Sequence, residues 1–403
     1  MRFPEFTEEW KRIRVSDLLD FYSTNSLSWE QLEYESNEPY NLHYGLIHVG
    51  LPTLVDLTKD KLPSIKEENV PKKYELCKEG DVAFADASED TNEVAKVVEF
   101  YNLDGKKVVC GLHTIHGRDN NKQTAKGFLG YCFSSTVFHN QIRRIAQGTK
   151  IYSINTRNFS EVFVGLPSKS EQHKIATLLR LIDEHISTQN KIIEKYESLI
   201  QAIIYKTKTN GITKGSWQKM ELSKVLHERN EKNIDGRTIC SVSVSQGVVN
   251  QVEYLGRSFA AQQTNHYNVV KYGDIVYTKS PTGDFPYGII KRSDIEEDVA
   301  VSPLYGVYTP SNDNIGVILH FYFMKPSNAF NYLHPLIQKG AKNTINITNL
   351  RFLENFVPLP ISENEAYTIA TTLKTIQKKI DIEKRLLQAY MIEKEYLLRQ
   401  MFI

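Results

Sequence analysis

Two segments of the sequence, residues 141–157 and 337–351, combine cations with short polar side chains and contain no acidic residue. Lysine and arginine side chains hold phosphates, whereas amide and hydroxyl side chains can hydrogen-bond the edges of bases. Because the whole chain is balanced in charge, the two segments predict contact with nucleic acid; a solvated basic face is the alternative. The candidate residues in them are Arg143, Arg144, Gln147, Thr149, Lys150, Tyr152, Lys339, Lys342, Asn343, Thr344 and Asn346.

A second set of candidates follows two strands that begin with Gly-Asp. The loops are residues 86–92, after "GDVAF", and residues 279–287, after "GDIVY". Pro281 and Gly283 favour a shaped turn in the second loop, where an aromatic ring could stack on a base or contact a thymine methyl group. A plain surface hairpin is the alternative. The candidate residues in the two loops are Ser88, Lys279, Thr282 and Tyr287.

The sequence contains none of the motifs that would place catalysis or a cofactor on this chain. It has no Asn/Asp-Pro-Pro-Tyr/Phe tetrapeptide for adenine methylation, no Gly-x4-Gly-Lys-Ser/Thr loop and no Gly-x-Gly-x-x-Gly. Cys110, His113 and His116 follow one another at a ligand-like spacing, but zinc prefers four ligands and no fourth stands at a convincing distance along the chain. Cys110 also lies in an apolar run, where a free cysteine packs as a small hydrophobe. We therefore predict no catalytic residue, no metal site and no cofactor on this chain.

The elements that must position the candidates occur twice. Phe163 begins "FVGLPSKSEQHKIATLLRLID", and Phe356 begins "FVPLPISENEAYTIATTLKTI". The earlier matches pair "KEGDVAF" with "KYGDIVY", "IAQGTK" with "IQKGAK", and "WKRIRVSDLL" with "WQKMELSKVL". The chain is therefore two copies of one plan, each a globular part followed by a helix.

Each copy ends on a helix with the apolar spacing of a coiled coil. Steps of four and three residues from Ile175 and from Ile369 fall mainly on apolar residues over several heptads. Ser168 or Ser170, and Ser362 in the second copy, follow Leu-Pro breaks and are predicted N-caps. The alternative is two unrelated amphipathic helices that pack on their own domains.

The globular parts are predicted to be rich in strands. Helical patches are expected near Val15, near Leu222 and before each Gly-Thr-Lys or Gly-Ala-Lys segment, and Asn210-Gly211 indicates a linker. The β-type runs, which Gly, Pro and Asn interrupt, are "GDVAF", "KVVCGLHTI", "FLGYCFS", "GDIVYT", "YGIIK" and "VILHFYF".

A family resemblance rests on motifs from both copies. They are the openings at Trp10 and Trp217, the two Gly-Asp strands, "GLHT" from Gly111, "VSPLYGVY" from Val301, and the twin "LP…E…IA" entries into the helices. In these motifs, and in its two-fold arrangement, the chain resembles the DNA-specificity subunit of type I restriction–modification enzymes over essentially its whole length.

The resemblance implies a fold and a set of partners. The expected fold is α+β: two strand-rich target-recognition domains joined by two long helices that form an antiparallel coiled coil, with a pseudo-two-fold internal repeat. The expected segments are residues 1–165 and 210–358 for the recognition domains, and 166–209 and 359–403 for the helices. Each domain would read one half of a split site in double-stranded DNA. The helices would dock two methyltransferase subunits, which bind S-adenosylmethionine and methylate adenine, and restriction and motor subunits would join the full complex.

The bulk composition fits a subunit better than an isolated DNA-binding protein. Lys+Arg 49 against Asp+Glu 48 gives a net charge of +1, whereas a free-standing nucleic-acid binder is usually more basic. Four widely spaced cysteines make no disulfide framework, and neither a signal peptide nor a long apolar run is evident, so we expect a cytoplasmic protein without membrane contact. A coiled-coil scaffold with two β-rich protein-binding domains is the alternative function, and a metal-dependent nuclease is a weaker one.

Overall fold

Two units make up the structure. The computed structural model describes residues 1–34, 38–256, 263–339 and 345–402. Unit 1 comprises Met1–Asn190 and Arg385–Ile403, and unit 2 comprises Lys191–Lys384. Each unit therefore contains one globular part together with a portion of both long helices.

Unit 1 is built on two mixed sheets. A five-stranded sheet has the order β2-β11-β7-β9-β5, a four-stranded sheet has the order β10-β4-β6-β3, and the smaller pairs are β1-β13 and β12-β8. The strands are β1 (Lys11–Arg14), β2 (Asp20–Tyr22), β3 (Leu32–Glu33), β4 (Tyr40–Leu42), β5 (Leu54–Asp56), β6 (Ser64–Ile65), β7 (Val82–Ala85), β8 (Ala87–Ser88), β9 (Val97–Asn102), β10 (Val108–Cys110), β11 (Thr114–Arg118), β12 (Tyr152–Ser153) and β13 (Phe163–Leu166). The helices that begin in this unit are α1 (Val15–Leu18), α2 (Tyr44–His48), α3 (Phe128–Phe133), α4 (Thr136–Ile145), α5 (Thr156–Ser160) and α6 (Lys169–Lys214), with 3-10 turns at Trp29–Gln31 and Glu67–Asn69.

Unit 2 has a smaller central sheet. A four-stranded sheet has the order β15-β22-β19-β20, and the other pairs are β14-β25, β16-β17, β18-β21 and β23-β24. The strands are β14 (Trp217–Glu221), β15 (Leu226–Glu228), β16 (Cys240–Ser243), β17 (Gly247–Asn250), β18 (Asn268–Val270), β19 (Ile275–Thr278), β20 (Ile289–Arg292), β21 (Val299–Val301), β22 (Gly306–Pro310), β23 (Gln338–Lys339), β24 (Ile345–Asn346) and β25 (Phe356–Pro360). The helices are α7 (Gln251–Leu255), α8 (Asp313–Phe323), α9 (Pro326–Leu333), α10 (Asn349–Phe352) and α11 (Glu363–Gln400), with 3-10 turns at Leu222–Lys224 and His334–Leu336.

The internal repeat is present in the packing of both units. In each, the first strand pairs antiparallel with the strand that leads into the long helix: β1 with β13, and β14 with β25. Phe84 packs on Phe159 with ring centroids 4.7 Å apart, and their counterparts Tyr277 and Phe352 are also 4.7 Å apart. The same pair of aromatic positions therefore anchors the Gly-Asp strand to the core in both units.

A tryptophan ties the start of each repeat to its long helix. The indole N–H of Trp10 donates to Glu171 at 3.3 Å, and that of Trp217 donates to Glu365 at 2.8 Å. Both carboxylates lie in the first turn of their helix, where negative charge is favourable. The repeated Trp and Glu of the sequence are thus partners in space.

The predicted helix starts and buried seams are confirmed. Ser168 and Ser362 accept hydrogen bonds from the third backbone N–H of α6 and of α11, at 3.4 and 3.5 Å. Ile175, Leu179 and Leu373 are buried, as the four-three spacing requires. No helix among the described residues is long and apolar enough to cross a membrane.

The two long helices run antiparallel. In unit 1, Asp183 of α6 forms an ion pair with Lys394 of α11 at 2.6 Å, and His185 stacks on Tyr390 with centroids 5.3 Å apart. Because the residue number falls along α11 as it rises along α6, the directions are opposite. The helices differ from the predicted segments by a few residues, since α6 spans Lys169–Lys214 and α11 spans Glu363–Gln400.

Two runs that were predicted as strands are helices. "FLGYCFS" forms α3, and "VILHFYF" forms most of α8. A continuous apolar run has no period that distinguishes a buried strand from a buried helix. In α8 the deciding signal precedes the run, because the Asn312 side chain caps the helix by accepting from Ile315 N–H at 3.0 Å.

The predicted linker at Asn210-Gly211 is wrong, because α6 continues through it. The helix ends at Lys214. Gly215 follows with a φ of +74°, and the Ser216 N–H donates to the Gly211 carbonyl at 2.9 Å, as in a Schellman motif. At Gly211 a Cβ atom would lie 1.9 Å from the Trp217 ring. This glycine therefore permits close packing of the tryptophan on the helix.

Candidate nucleic-acid interface

Each Gly-Asp motif forms a turn that fixes the start of a central strand. Gly80 and Gly273 have φ values of +89° and +87°, which favour glycine. Asp81 accepts the N–H of Lys78 at 2.8 Å, and Asp274 accepts the N–H of Lys271, three residues before it, at 2.8 Å. The aspartates are buried and structural, so the loops that leave the far ends of these strands start from fixed positions.

The salt-bridge partners of the two aspartates differ. The Asp81 carboxylate is hydrogen-bonded to Nε2 of His116 at 2.7 Å and to the Arg118 guanidinium at 2.8 Å. The Asp274 carboxylate is hydrogen-bonded to the Arg229 guanidinium at 2.6 Å. Burial alone would raise the pKa of Asp81, but the hydrogen bonds from His116 and Arg118 hold this pKa below its ordinary value. Neither aspartate was predicted as a buried ion-pair residue, since the sequence does not show which distant cation reaches it.

Unit 1 brings its two candidate segments together. Gln147 and Ser153 exchange backbone hydrogen bonds of 2.9 and 2.8 Å and close a turn that we call hairpin 1, residues 147–153. Within it, Tyr152 pairs directly with Ser88 in the β12–β8 ladder. Residues that are 64 positions apart in the sequence therefore share one small sheet, and Thr149 and Lys150 lie exposed at its tip.

The end of α4 lies beside this sheet. Arg143 and Arg144 occupy the last turn of α4 and are exposed, four and three residues before Gln147. Burial lowers the pKa of His139, one turn earlier, and the charges of Arg143 and Lys96 lower it further. The two arginines thus stand directly before hairpin 1 in the chain, whereas Lys96 pairs with Glu93 at 2.7 Å.

Acidic residues also border this face. Asp86 contacts the imidazole of His113 at 3.2 Å, and burial raises the pKa of Asp86 in spite of that neighbour. Glu89 and Asp90 are exposed in the same loop. Carboxylates repel phosphates but accept hydrogen bonds from cytosine amino groups. Unit 1 therefore presents both signs of charge around Ser88, a feature that the acid-free segment by itself did not indicate.

Unit 2 repeats the hairpin. Gln338 pairs with Asn346, and Lys339 pairs with Ile345, and we call this ladder of residues 338–339 and 345–346 hairpin 2. The backbones of Lys339 and Asn346 are placed by this ladder. The predicted contacts Lys342, Asn343 and Thr344 lie outside the described residues.

The second loop of unit 2 has a tight turn, as predicted. Thr282 and Phe285 exchange backbone hydrogen bonds of 3.1 and 2.9 Å, with Gly283 at a φ of +49° between them. Thr282 is exposed, while Lys279 is half-buried and burial lowers its pKa. Tyr287 is also half-buried, and its ring lies 5.2 Å from that of Phe330, so only part of the ring is open for stacking.

Of the three residues with a ligand-like spacing in unit 1, only Cys110 and His116 lie close together in the structure. His113 contacts Asp86 and the ring of Tyr44 and is not part of the cluster that Cys110 and His116 form. The third member of the cluster is Cys77, which no local sequence motif connects with Cys110 and His116. Only the three-dimensional pairing of strands reveals this neighbour.

Comparisons with known proteins agree on one family. Residues 7–198 match the family model described as the type I restriction modification DNA specificity domain. The chain is 23% identical over 401 residues to a putative type I restriction enzyme MjaX specificity subunit of Methanocaldococcus jannaschii, covering 94% of this chain and 90% of that protein. It is 24% identical over 306 residues to the MjaVIII specificity subunit of the same organism, covering 70% of each.

Solved structures share the fold. The crystal structure of a type I restriction–modification S subunit from M. genitalium aligns over 100% of this chain and 97% of its own, with a TM-score of 0.59 and 14% identity. A structure described under complex assembly and conformational transition of the type I restriction–modification system aligns over 98% and 97%, with a TM-score of 0.52 and 13% identity.

Proposed function

We propose that this chain is a DNA-specificity subunit of the type I restriction–modification family and that each unit reads one half of a split DNA site. The match of residues 7–198 to the family model and the similarity to two specificity subunits support this proposal. Unit 1 would read its half with hairpin 1 and Ser88. Unit 2 would read the other half with hairpin 2 and the loop at residues 279–287. The similarity to specificity subunits supports recognition of DNA sequence, and the assignment of these surfaces is our inference.

The observation that carries the assignment is the pairing of Tyr152 with Ser88. It joins the basic segment and the loop after the Gly-Asp strand, which the sequence had indicated separately. A two-stranded ribbon of this kind fits the major groove, where base edges distinguish all four base pairs. Hairpin 2 stands at the corresponding place in the other unit, so the same element serves both half-sites with different side chains.

Partner subunits complete the proposed complex. A net charge of +1 leaves most of the phosphate neutralisation to other chains. In unit 2, the helices expose large apolar side chains, including Leu199, Tyr205 and Tyr367, at 43%, 61% and 61%. Such side chains favour protein contacts. We assign the helices as docking sites for two methyltransferase subunits, which would carry S-adenosylmethionine and the catalytic residues and would recruit restriction and motor subunits.

The experiment that tests the assignment exchanges one unit at a time. Lys11 pairs with Leu166, and Gln218 pairs with Leu359, so both ends of each graft lie on one strand ladder. Residues 11–166 are replaced by the equivalent residues of another family member, and methylated bases are mapped in cells that carry the chimera with its partner subunits. One half of the methylated motif should change while the other half and the spacer are retained.

The reciprocal exchange of residues 218–359 is the matched control and should change only the other half. A change of both halves in either chimera would contradict independent reading. If methylation is lost although the complex still assembles, the grafted surface is not sufficient for recognition, and the assignment is wrong.

A further inference from the structure

Three potential metal ligands from separate segments meet inside unit 1. The Sγ atoms of Cys77 and Cys110 are 3.5 Å apart, and these two atoms and a ring nitrogen of His116 all lie within 4.8 Å of one another. Cys77 follows the bridge between Leu76 and Val109, Cys110 ends β10, and His116 lies in β11. All three side chains are buried.

The orientation of His116 is that of a metal-binding histidine. Its Nε2 lies 2.7 Å from Asp81, a carboxylate that is itself held by Arg118. Its Nδ1 is buried and has no hydrogen-bond partner. In metal sites, one ring nitrogen binds the ion while the other donates to a carboxylate that fixes the ring. A buried nitrogen without a hydrogen-bond partner is otherwise unfavourable.

We propose that unit 1 binds a zinc-type divalent ion through Sγ of Cys77, Sγ of Cys110 and Nδ1 of His116. Two thiolates in a tetrahedral zinc site, with bonds of about 2.3 Å, stand about 3.8 Å apart, close to the observed separation. Binding releases the two thiol protons as the divalent ion enters. The net charge of the buried cluster is therefore unchanged, and the ion is tolerated beside Arg118.

A fourth ligand can come from solvent. A cavity of about 500 Å³ reaches Cys110 and is lined by polar groups that include Asn25, Glu75 and His113. Three protein ligands with a water molecule in the fourth position are an established zinc arrangement, and two thiolates with imidazole suit zinc better than oxygen-preferring ions.

The site belongs to unit 1 alone. Unit 2 contains one cysteine, Cys240, and the residue that corresponds to Cys77 in the repeat is Val270. The ion would tie the segment before the Gly-Asp turn to β10 and β11. It would thereby hold the start of β11 near His113 and Asp86, behind the loop that carries Ser88.

The test measures metal in the full-length chain, purified under reducing conditions from cells supplied with zinc. Elemental analysis should find a stoichiometric zinc ion, which is lost in Cys77→Ala and in Cys110→Ala. Cys132→Ala is the matched control, because Cys132 is a buried free cysteine in the same unit and outside the cluster. It should retain the ion. Zinc that is absent from the wild-type chain, or retained in both cluster variants, would overturn the proposal.

Cobalt gives a readout that does not depend on the variants folding. Addition of Co²⁺ to chelator-treated wild-type chain should produce the near-ultraviolet absorption of thiolate-to-cobalt charge transfer together with visible bands of tetrahedral intensity. If the spectrum does not change, or if a disulfide between Cys77 and Cys110 forms in its place, the three residues are a redox-sensitive thiol pair beside a histidine and the metal site is refuted.

Discussion

Glu99 in unit 1 and Arg292 in unit 2 occupy the same position in the repeated sheet, so that an acidic side chain in one unit stands where a basic one stands in the other. Val82 pairs with Glu99, and its counterpart Ile275 pairs with Arg292. Both side chains are buried. Each one meets the N-terminus of the helix that covers the strand, α3 in unit 1 and α8 in unit 2.

The two helix starts are satisfied in different ways. The carboxylate of Glu99 accepts the N–H groups of Gly127 and Gly130 directly. In unit 2, the helix supplies its own carboxylate, Asp313, and the strand provides the cation that pairs with it. Both arrangements place negative charge at a helix N-terminus, which the helix dipole favours. What the repeat preserves is therefore the electrostatic requirement, whereas the residue that meets it changes.

At the Gly-Asp turns, in contrast, the two units share the aspartate, but the arginine that pairs with it comes from a different segment in each unit. The Arg118 side chain that pairs with Asp81 is 7% exposed, whereas that of Arg229, which pairs with Asp274, is 19% exposed. After the aspartate is removed, water can therefore solvate the charge of Arg229 better than that of Arg118.

The largest expected effect in this comparison comes from Asp81→Asn. It leaves the buried Arg118 guanidinium with Glu75, at 2.8 Å, as its remaining carboxylate partner, and should lower the free energy of unfolding of unit 1 by about 3 kcal/mol. Asp274→Asn should cost unit 2 less, about 1–3 kcal/mol, because Arg229 is closer to solvent. Urea denaturation followed by hydrogen exchange in each unit measures both values. Equal losses would show that the partner's exposure does not determine the cost.

The next effect is a pH dependence that differs between the units. Burial raises the pKa of Glu99 to about 7, against the hydrogen bonds from Gly130 and Gly127. The folded unit therefore holds a proton that the unfolded chain releases near pH ~4.5. Stability of unit 1 should fall as the pH rises from about 4.5 to 7, by roughly 3 kcal/mol, and then level off. Hydrogen exchange in α3, corrected for intrinsic rates, follows this change, and Glu99→Gln should remove it.

Unit 2 should respond in the opposite direction. Burial would raise the pKa of Asp313, but hydrogen bonds from Lys374 and Arg292 lower it. The stability that Asp313 contributes is present above its unfolded pKa and is lost as the pH falls through the folded value, below about 4. If α8 and α3 lost protection over the same pH range, the charge inversion between the units would have no energetic consequence.

The sequence predicted those features that depend on local pattern. The doubled Leu-Pro entry, the four-three spacing from Ile175 and the serine caps identified the helices, and the Gly-Asp strands were located correctly. These features depend on nearest neighbours along the chain or on a period, both of which can be read directly.

Features set by the pairing of distant segments were not predictable in the same way. The apolar runs of α3 and α8 lack a period, so their helical state depends on caps and packing. Tyr152 and Ser88 were both candidates, but their register is fixed only by the β12–β8 ladder. Cys77 was not associated with Cys110, because 32 intervening residues separate them and no motif spans that distance.

The smallest expected effect concerns Lys150, which is exposed in hairpin 1, and Lys342, its counterpart in the repeated sequence. If each holds one phosphate, Lys150→Ala and Lys342→Ala should each reduce the slope of log K against log salt concentration by about 0.9. Sequence preference should not change, since a phosphate contact carries no base information. Binding of the chain with its partner subunits to specific and random duplexes, at several salt concentrations, measures both quantities. Lys59→Ala serves as the control, because Lys59 pairs with Asp56 at 3.5 Å outside the hairpin. A reduced slope for only one of the two lysines would show that the hairpins approach DNA differently, and a preference altered at a single base pair would assign that lysine to a base edge.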